Sequence, residues 1–285
     1  MKFIHTFWSK PLLNNKHNTF SASLRYLLSN YAFSAHCVQA MGHEIVLYTD
    51  KYGTELFSFI TYNNIIILDD LEDDNMHFFA RYKFEALKKC DLGDVIIDGD
   101  IFLYKPDVYK KIEEPYDVIY SFKETAEYNF NVFSIVQIGG LLGKLSDYSD
   151  KFKPKYKLPQ TIAQSTTFNT SVLKINNEDL RQEYIEQYEY HYNLLKDIQF
   201  KNCEWPDLII EQYFLRCLCE HNNSYFAKPI INNLLDTNES DINGFIHVGG
   251  RKYELQDWVE SLLKNENIEL YNKYVNQYYI YTNNK

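Results

Sequence analysis

The chain is poor in cysteine, and the few it has form no pattern. Cys37, Cys90, Cys203, Cys217 and Cys219 are an odd number, with no Cys-x-x-Cys among them. No disulfide framework follows, and the thiols read as reduced, in a cytosolic setting. Long apolar runs are missing too: nothing reaches the length of a membrane-spanning helix, and Met1-Lys2-Phe3-Ile4-His5 has no signal-peptide character. A cytoplasmic location is therefore expected. Positive charge is in deficit, 29 Lys and Arg against 39 Asp and Glu, for a formal net charge of −10. An overall field of that sign excludes binding to nucleic acid or an anionic membrane surface by bulk electrostatics. It leaves room for a local basic pocket that takes an anionic substrate. The acidic run from Asp69 to Asp74 lacks the spacing of a calcium loop and reads as a solvated loop. At 285 residues with 45% hydrophobic content, the chain can bury one substantial core.

One stretch carries chemistry. Val95 to Ile97 is a short β-branched run of the kind that forms a buried strand, and it ends in Asp98-Gly99-Asp100. This is the single Asp-x-Asp in the sequence. Alternation along a strand puts both carboxylates on one side, and glycine between them allows a sharp bend and close approach to a ligand. Two such carboxylates repel unless a cation lies between them. A hard divalent ion completed by a substrate phosphate meets that need. The structural alternative is a polar turn after a buried strand, with both acids solvated.

The rest of the chain reads as alternating strands and helices. Strands are expected at Lys2 to Trp8, Glu44 to Tyr48, Asn64 to Leu68, Asp117 to Phe122 and Phe168 to Asn176, with further candidates at Ser224 to Ile231 and Gly244 to Val248. Helices are expected at Ser21 to Met41, Asn75 to Cys90, from Pro106 to near Pro115, from an Asn177 cap to Asp197, and from Trp205-Pro206-Asp207 onward. Residues 123–164 read as irregular. The pattern predicts an α/β fold, a mostly parallel mixed sheet sandwiched by helices. One helix contains a conflict. Lys83 falls inside the apolar stripe of Asn75 to Cys90, whereas Arg81 shares the polar side with Glu85 and Lys88. A core-facing lysine must either reach an edge or pair with an acid. Asp207 and Glu211, four apart, are expected on one helix face. His247-Val248-Gly249-Gly250-Arg251-Lys252 joins an imidazole, two glycines and two cations, a plausible phosphate clasp.

The order of these pieces resembles a family. A strand leads into Asp98-Gly99-Asp100; Phe168-Asn169-Thr170-Ser171-Val172-Leu173, Glu211-Gln212 and His247-x-x-Gly250 follow. That order is similar to the nucleotide-sugar glycosyltransferases of the GT-A fold, and above all to glycosyltransferase family 8 and its relatives. The resemblance spans Lys2 to Lys252. It implies a single Rossmann-like GT-A domain over residues 1–252; residues 253–285 have no counterpart in it, and with Trp258, Leu262 and Leu263 they read as a helical tail packed on the same domain. It implies transfer of a sugar, with retention, from a nucleotide-diphosphate donor such as a UDP-sugar to a glycan or other hydroxyl acceptor. Asp98, Asp100 and His247 match the ligands of a manganese or magnesium ion. Gly99, Gly250 and Lys252 fall beside the donor diphosphate. Arg81 matches an upstream arginine, while helical position favours Lys83 for the same place. Asn169 matches an acceptor-site asparagine, Glu211 and Gln212 the acid-glutamine pair, with Asp207 as a second match for the acid. Ser171 departs from the family's glycine, which puts close backbone approach there in question. Two other functions fit less of the pattern. One is a haloacid-dehalogenase-type phosphatase, whose Asp-x-Asp belongs near the N-terminus and wants Thr or Val where Phe102 stands. The other is a protein that binds sugar nucleotides without turning them over.

Overall fold

The computed structural model describes residues 1–13, 20–68, 78–124, 166–197, 206–221, 225–232, 244–249 and 254–283. Along the chain run β1 (Lys2–Phe7), α1 (Lys10–Leu13), α2 (Phe20–Ala40), β2 (Glu44–Thr49), α3 (Lys51–Leu56), β3 (Asn64–Ile67), α4 (Arg81–Lys89), β4 (Val95–Ile97), β5 (Ile101–Leu103) and α5 (Pro106–Ile112). After them come β6 (Val118–Glu124), β7 (Thr167–Ile175), α6 (Glu178–Leu195), α7 (Pro206–Leu208), a π turn (Ile209–Tyr213) and α8 (Phe214–His221). The last are β8 (Ala227–Pro229), β9 (Phe245–His247), α9 (Gln256–Glu266) and α10 (Ile268–Asn283). The class is α/β, with mostly parallel strands in a mixed sheet and helices against it. The chain divides into two compact units: Met1–Asp74 with Asp94–Glu114 and Leu235–Lys285, and Asn75–Gly93 with Pro115–Leu234.

In the first unit, β3, β2, β1 and β4 lie side by side in that order, all parallel. Phe3, Ile4, Ile45, Leu47, Val95, Ile96 and Ile97 have no exposure at all. Strands covered on both faces need such continuous apolar runs, which is why β2 and β4 were legible. Leu24, Leu28, Ala32, Ala35 and Val38 of α2 are likewise fully buried. Helices α9 and α10 pack on α2. Arg25 of α2 forks onto Glu260 at 2.6 Å and Asp257 at 2.9 Å, and Gln256 donates to both Ser29 and Glu260.

A polar residue sits in the middle of this core. His5 of β1 is fully buried, with Tyr62 Oη 2.9 Å from Nδ1 and Ser34 Oγ 3.0 Å from Nε2. Burial lowers its pKa to about 3, so the ring stays neutral in the folded protein. An unfolded chain takes up that proton near pH 6.5. The unfolded state therefore binds more protons between about pH 6.5 and 3, and stability falls as pH is lowered through that window. His191 of the second unit, lowered to about 4 by burial, acts in the same direction. His5→Asn is expected to make the melting temperature fall less steeply between pH 7 and 5 than in the wild type; parallel profiles would contradict this.

In the second unit, β6 pairs antiparallel with β7 and parallel with β8. Asn177 caps α6 as expected, its Oδ1 accepting from the Leu180 N–H at 3.1 Å. Two expected elements differ. Residues 75–77 of the helix expected from Asn75 lie outside the described residues; among those described it begins at Arg81, with Ala80 as the cap residue and the Ala80 N–H donating to the Asp207 carboxylate. The helix expected from Trp205 is broken by the π turn. There the Tyr184 hydroxyl donates to the Glu211 carbonyl at 2.9 Å, and insertion of a side chain into the ladder accompanies such a break.

Candidate functional site

The acid pair forms the link between β4 and β5 in the first unit. The Ile101 N–H closes a tight turn on the Asp98 carbonyl at 3.2 Å, and both carboxylates are half-buried. Strand β5 then pairs antiparallel with β9, with Ile101 opposite His247. The Val248 N–H extends the ladder onto the Asp100 carbonyl at 3.1 Å. Three residues of pairing thus bring a histidine from far along the chain to the acid turn: His247 Nε2 stands 4.0 Å from Asp100 Oδ1.

Helix α2 supplies the other wall. The Tyr26 hydroxyl donates to Asp100 Oδ2 at 2.8 Å. Tyr31 lies flat against the turn, its hydroxyl donating to the Thr6 carbonyl at 2.7 Å. A Cβ on Gly99 would fall 2.1 Å from the Tyr31 ring. Glycine is required here, and the physical reason is Tyr31 rather than a positive φ, which Gly99 does not have. Burial first, and then the neighbouring carboxylates, raise both phenols well above their ordinary values. Both therefore remain donors across the working pH range.

The donor set fits a divalent cation in part. Oxygen and imidazole ligands bind such an ion at roughly 2.0–2.2 Å, so two of them 4.0 Å apart can share one. Asp100 Oδ1 and His247 Nε2 meet that condition, both partly exposed, while Oδ2 is already held. Among the described residues no three His, Cys, Asp or Glu side chains form a ready cage. Gly250 and Lys252, expected beside the diphosphate, lie outside the described residues, as do residues 125–165.

Lys83, Glu211, Asn169, Gln212 and Arg81 belong to the second unit. Lys83 does not reach an edge: it is buried, with Nζ 2.6 Å from Glu211 Oε1 and 3.1 Å from the Thr170 carbonyl. Thr170 Oγ1 donates to the same carboxylate oxygen. Glu211 is 1% exposed, so the acid expected at the sugar is met here as half of a buried ion pair. Asp207, its alternative, is fully buried and accepts from the Ala80 N–H and from Tyr188 at 2.9 Å. Burial, and then Glu211, raise the Asp207 carboxyl well above its ordinary value. Asn169 Oδ1 accepts from the N–H and hydroxyl of Ser171, the latter also bonded to Ser121. The serine that stands in place of glycine is thus tied to the asparagine two residues before it. Gln212 is buried, and its Oε1 has no hydrogen-bond partner among the described residues. Arg81 faces away from Lys83: it bonds Glu189 at 3.2 Å and Glu85 at 3.4 Å and lies over the Tyr192 ring.

Sequence reasoning missed Tyr26, Tyr31 and Thr170. Tyr26 meets Asp100 across 74 residues and Thr170 meets Glu211 across 41, separations at which no local spacing speaks.

A family model matches residues 1–280. The chain belongs to the DUF6734 family, a family of unknown function. No curated protein matches the DUF6734 chain. Among solved structures it is similar to the galactosyltransferase LgtC in complex with donor and acceptor sugar analogs, at 12% identity and a TM-score of 0.37, over 74% of this chain and 70% of that one. It is similar as well to mouse xyloside xylosyltransferase 1 in its apo form, at 12% identity and a TM-score of 0.36, over 78% of this chain and 83% of that one. Likenesses of this degree carry no argument about what the DUF6734 chain does. No helix among its described residues is long and apolar enough to cross a membrane, and among the described residues Cys37, Cys90, Cys217 and Cys219 form no disulfide.

Proposed function

We propose that the protein is a metal-dependent glycosyltransferase of GT-A type, moving a sugar from a UDP-sugar to a hydroxyl of a glycan-type acceptor with retention of configuration. One observation carries the reading: the β5–β9 pairing that sets His247 beside Asp100 at the C-terminal end of parallel strand β4. Ligands of open α/β sheets gather at that edge. The order of motifs along the sequence points the same way.

In this reading Asp98, Asp100 and His247 hold a manganese or magnesium ion, a mixed set of hard oxygens and one imidazole. When bound, the ion offsets the charge that builds on the departing diphosphate. Asp100 does its part through one oxygen, the other being taken by Tyr26. His247 must be neutral to offer its lone pair, so protons compete with the ion as pH falls. Lys252 and Gly250 are assigned to the diphosphate on the motif alone. Glu211, Asn169 and Gln212 are assigned to the sugar and acceptor. Lys83, bound to Glu211, keeps that carboxylate oriented. Arg81, already engaged with Glu85, Glu189 and Tyr192, is the weaker choice for the diphosphate.

The test is a panel of nucleotide sugars incubated with the protein and manganese. Free UDP released from one donor and stopped by EDTA is the expected result. Inorganic phosphate would mark a phosphatase, and binding with no release would mark a non-catalytic sugar-nucleotide protein.

A further inference from the structure

Helix α2 grips the acid turn at two points, and the two grips differ in chemistry. Tyr31 touches Gly99 with its ring, and its hydroxyl is spent on the Thr6 carbonyl. Tyr26 touches Asp100 with its hydroxyl. A buried phenol needs a hydrogen-bond partner. This one takes a carboxylate oxygen whose twin, Oδ1, faces His247. Left alone, the Asp100 side chain can turn about its last torsion and offer either oxygen, or both, to its surroundings. The Tyr26 bond fixes that choice.

The anchor is itself held. The Tyr26 carbonyl accepts from Asn30 Nδ2 at 2.8 Å and from Ser29 Oγ at 3.1 Å. Ser29 is bound in turn by Gln256 of α9 at 3.0 Å. Arg25, the residue before Tyr26, is clamped by Glu260 and Asp257 of the same helix, and Tyr274 of α10 closes on Glu260. A phenol on a helix locked at this point has little freedom to follow a moving carboxylate. It orients the carboxylate instead.

We propose that Tyr26 is a positioning residue for a divalent cation: it holds Asp100 Oδ2 so that Oδ1 is presented, with His247 Nε2, as a one-oxygen ligand. The proposal rests on the metal-dependent reading above and adds to it a residue outside the motifs that carry that reading. Partners that orient a metal ligand are worth 10- to 100-fold in affinity, whereas a phenol that merely fills space is worth nothing there.

Manganese binding is titrated by calorimetry in the presence of UDP, with melting temperatures recorded alongside. Tyr26→Phe keeps the ring and is expected to weaken manganese affinity about 10-fold or more, with recovery at saturating metal. Tyr62→Phe, which removes a hydroxyl that meets His5 rather than a carboxylate, is expected to bind like the wild type. If Tyr26→Phe does not fold, Tyr26→Met, a smaller and flexible apolar side chain that also lacks the hydroxyl, takes its place. Equal affinity in the wild type and the Tyr26 variant overturns the proposal and leaves the metal site standing. Absence of manganese binding in the wild type overturns both.

Discussion

Asp100→Asn is expected to abolish donor turnover, by more than 100-fold on the order of what loss of a direct charge stabiliser costs, while the protein still folds. The substitution removes the charge on Oδ1 that faces His247. It keeps the shape of the side chain, and the amide oxygen can still accept from Tyr26. Asp98→Asn is expected to behave alike, since Asp98 and Asp100 frame the same turn. Neither change should lower the melting temperature much. Both residues are half-buried on a turn, and an amide in place of either carboxylate brings no new charge to be solvated there. Turnover is read as UDP release at saturating manganese, with unfolding followed in parallel. Activity within a few-fold of wild type in both variants, or undiminished wild-type activity in EDTA, would remove the acid pair from the mechanism.

Lys83→Met is expected to destabilise the fold by roughly 3–5 kcal/mol, the cost of leaving one partner of a buried ion pair uncompensated. Glu211 is almost wholly buried and its one other side-chain partner in view is the Thr170 hydroxyl. Its charge cannot be left there without a counter-ion, so it must protonate or the structure must open. For a chain of this size the loss corresponds to about 10 °C in melting temperature. Glu211→Gln exposes the opposite fault, an ammonium without its carboxylate, and should be costly for the same reason. The double variant Lys83→Met with Glu211→Gln is expected to be more stable than the sum of the two single changes implies, which a double-mutant cycle reads directly. Additive losses would mean that the pair contributes little. The double variant also separates stability from chemistry: if Glu211 acts at the sugar, turnover stays low after stability returns.

Much of this fold could be read without coordinates. The apolar runs of β2 and β4 are continuous because both their faces are covered. The Asn177 cap is local, so its hydrogen bond to Leu180 was visible as a sequence pattern. Lys83 announced itself as a charge in an apolar stripe, yet its partner lies 128 residues away and nothing local names Glu211. Strand β9 falls inside the expected Gly244 to Val248 strand, whereas β5, of three residues, is too short for a periodicity to register. Their pairing is a tertiary fact, and it is the one that gives His247 its place. Tyr26 was hidden for a different reason: a tyrosine on a largely apolar helix looks like core until its hydroxyl is seen on a carboxylate. The π turn depends on Tyr184 reaching the Glu211 carbonyl, again a contact between distant segments.

The most direct test of the account is the manganese affinity of His247→Ala against wild type, by titration calorimetry with UDP in both cells. Local structure cannot link His247 to Asp100, so any coupling between them must come from the β5–β9 pairing and a shared ion. Affinity is expected to fall at least 10-fold, with excess manganese recovering part of the lost turnover and the melting temperature without metal barely changed. Unchanged manganese affinity in His247→Ala would contradict it.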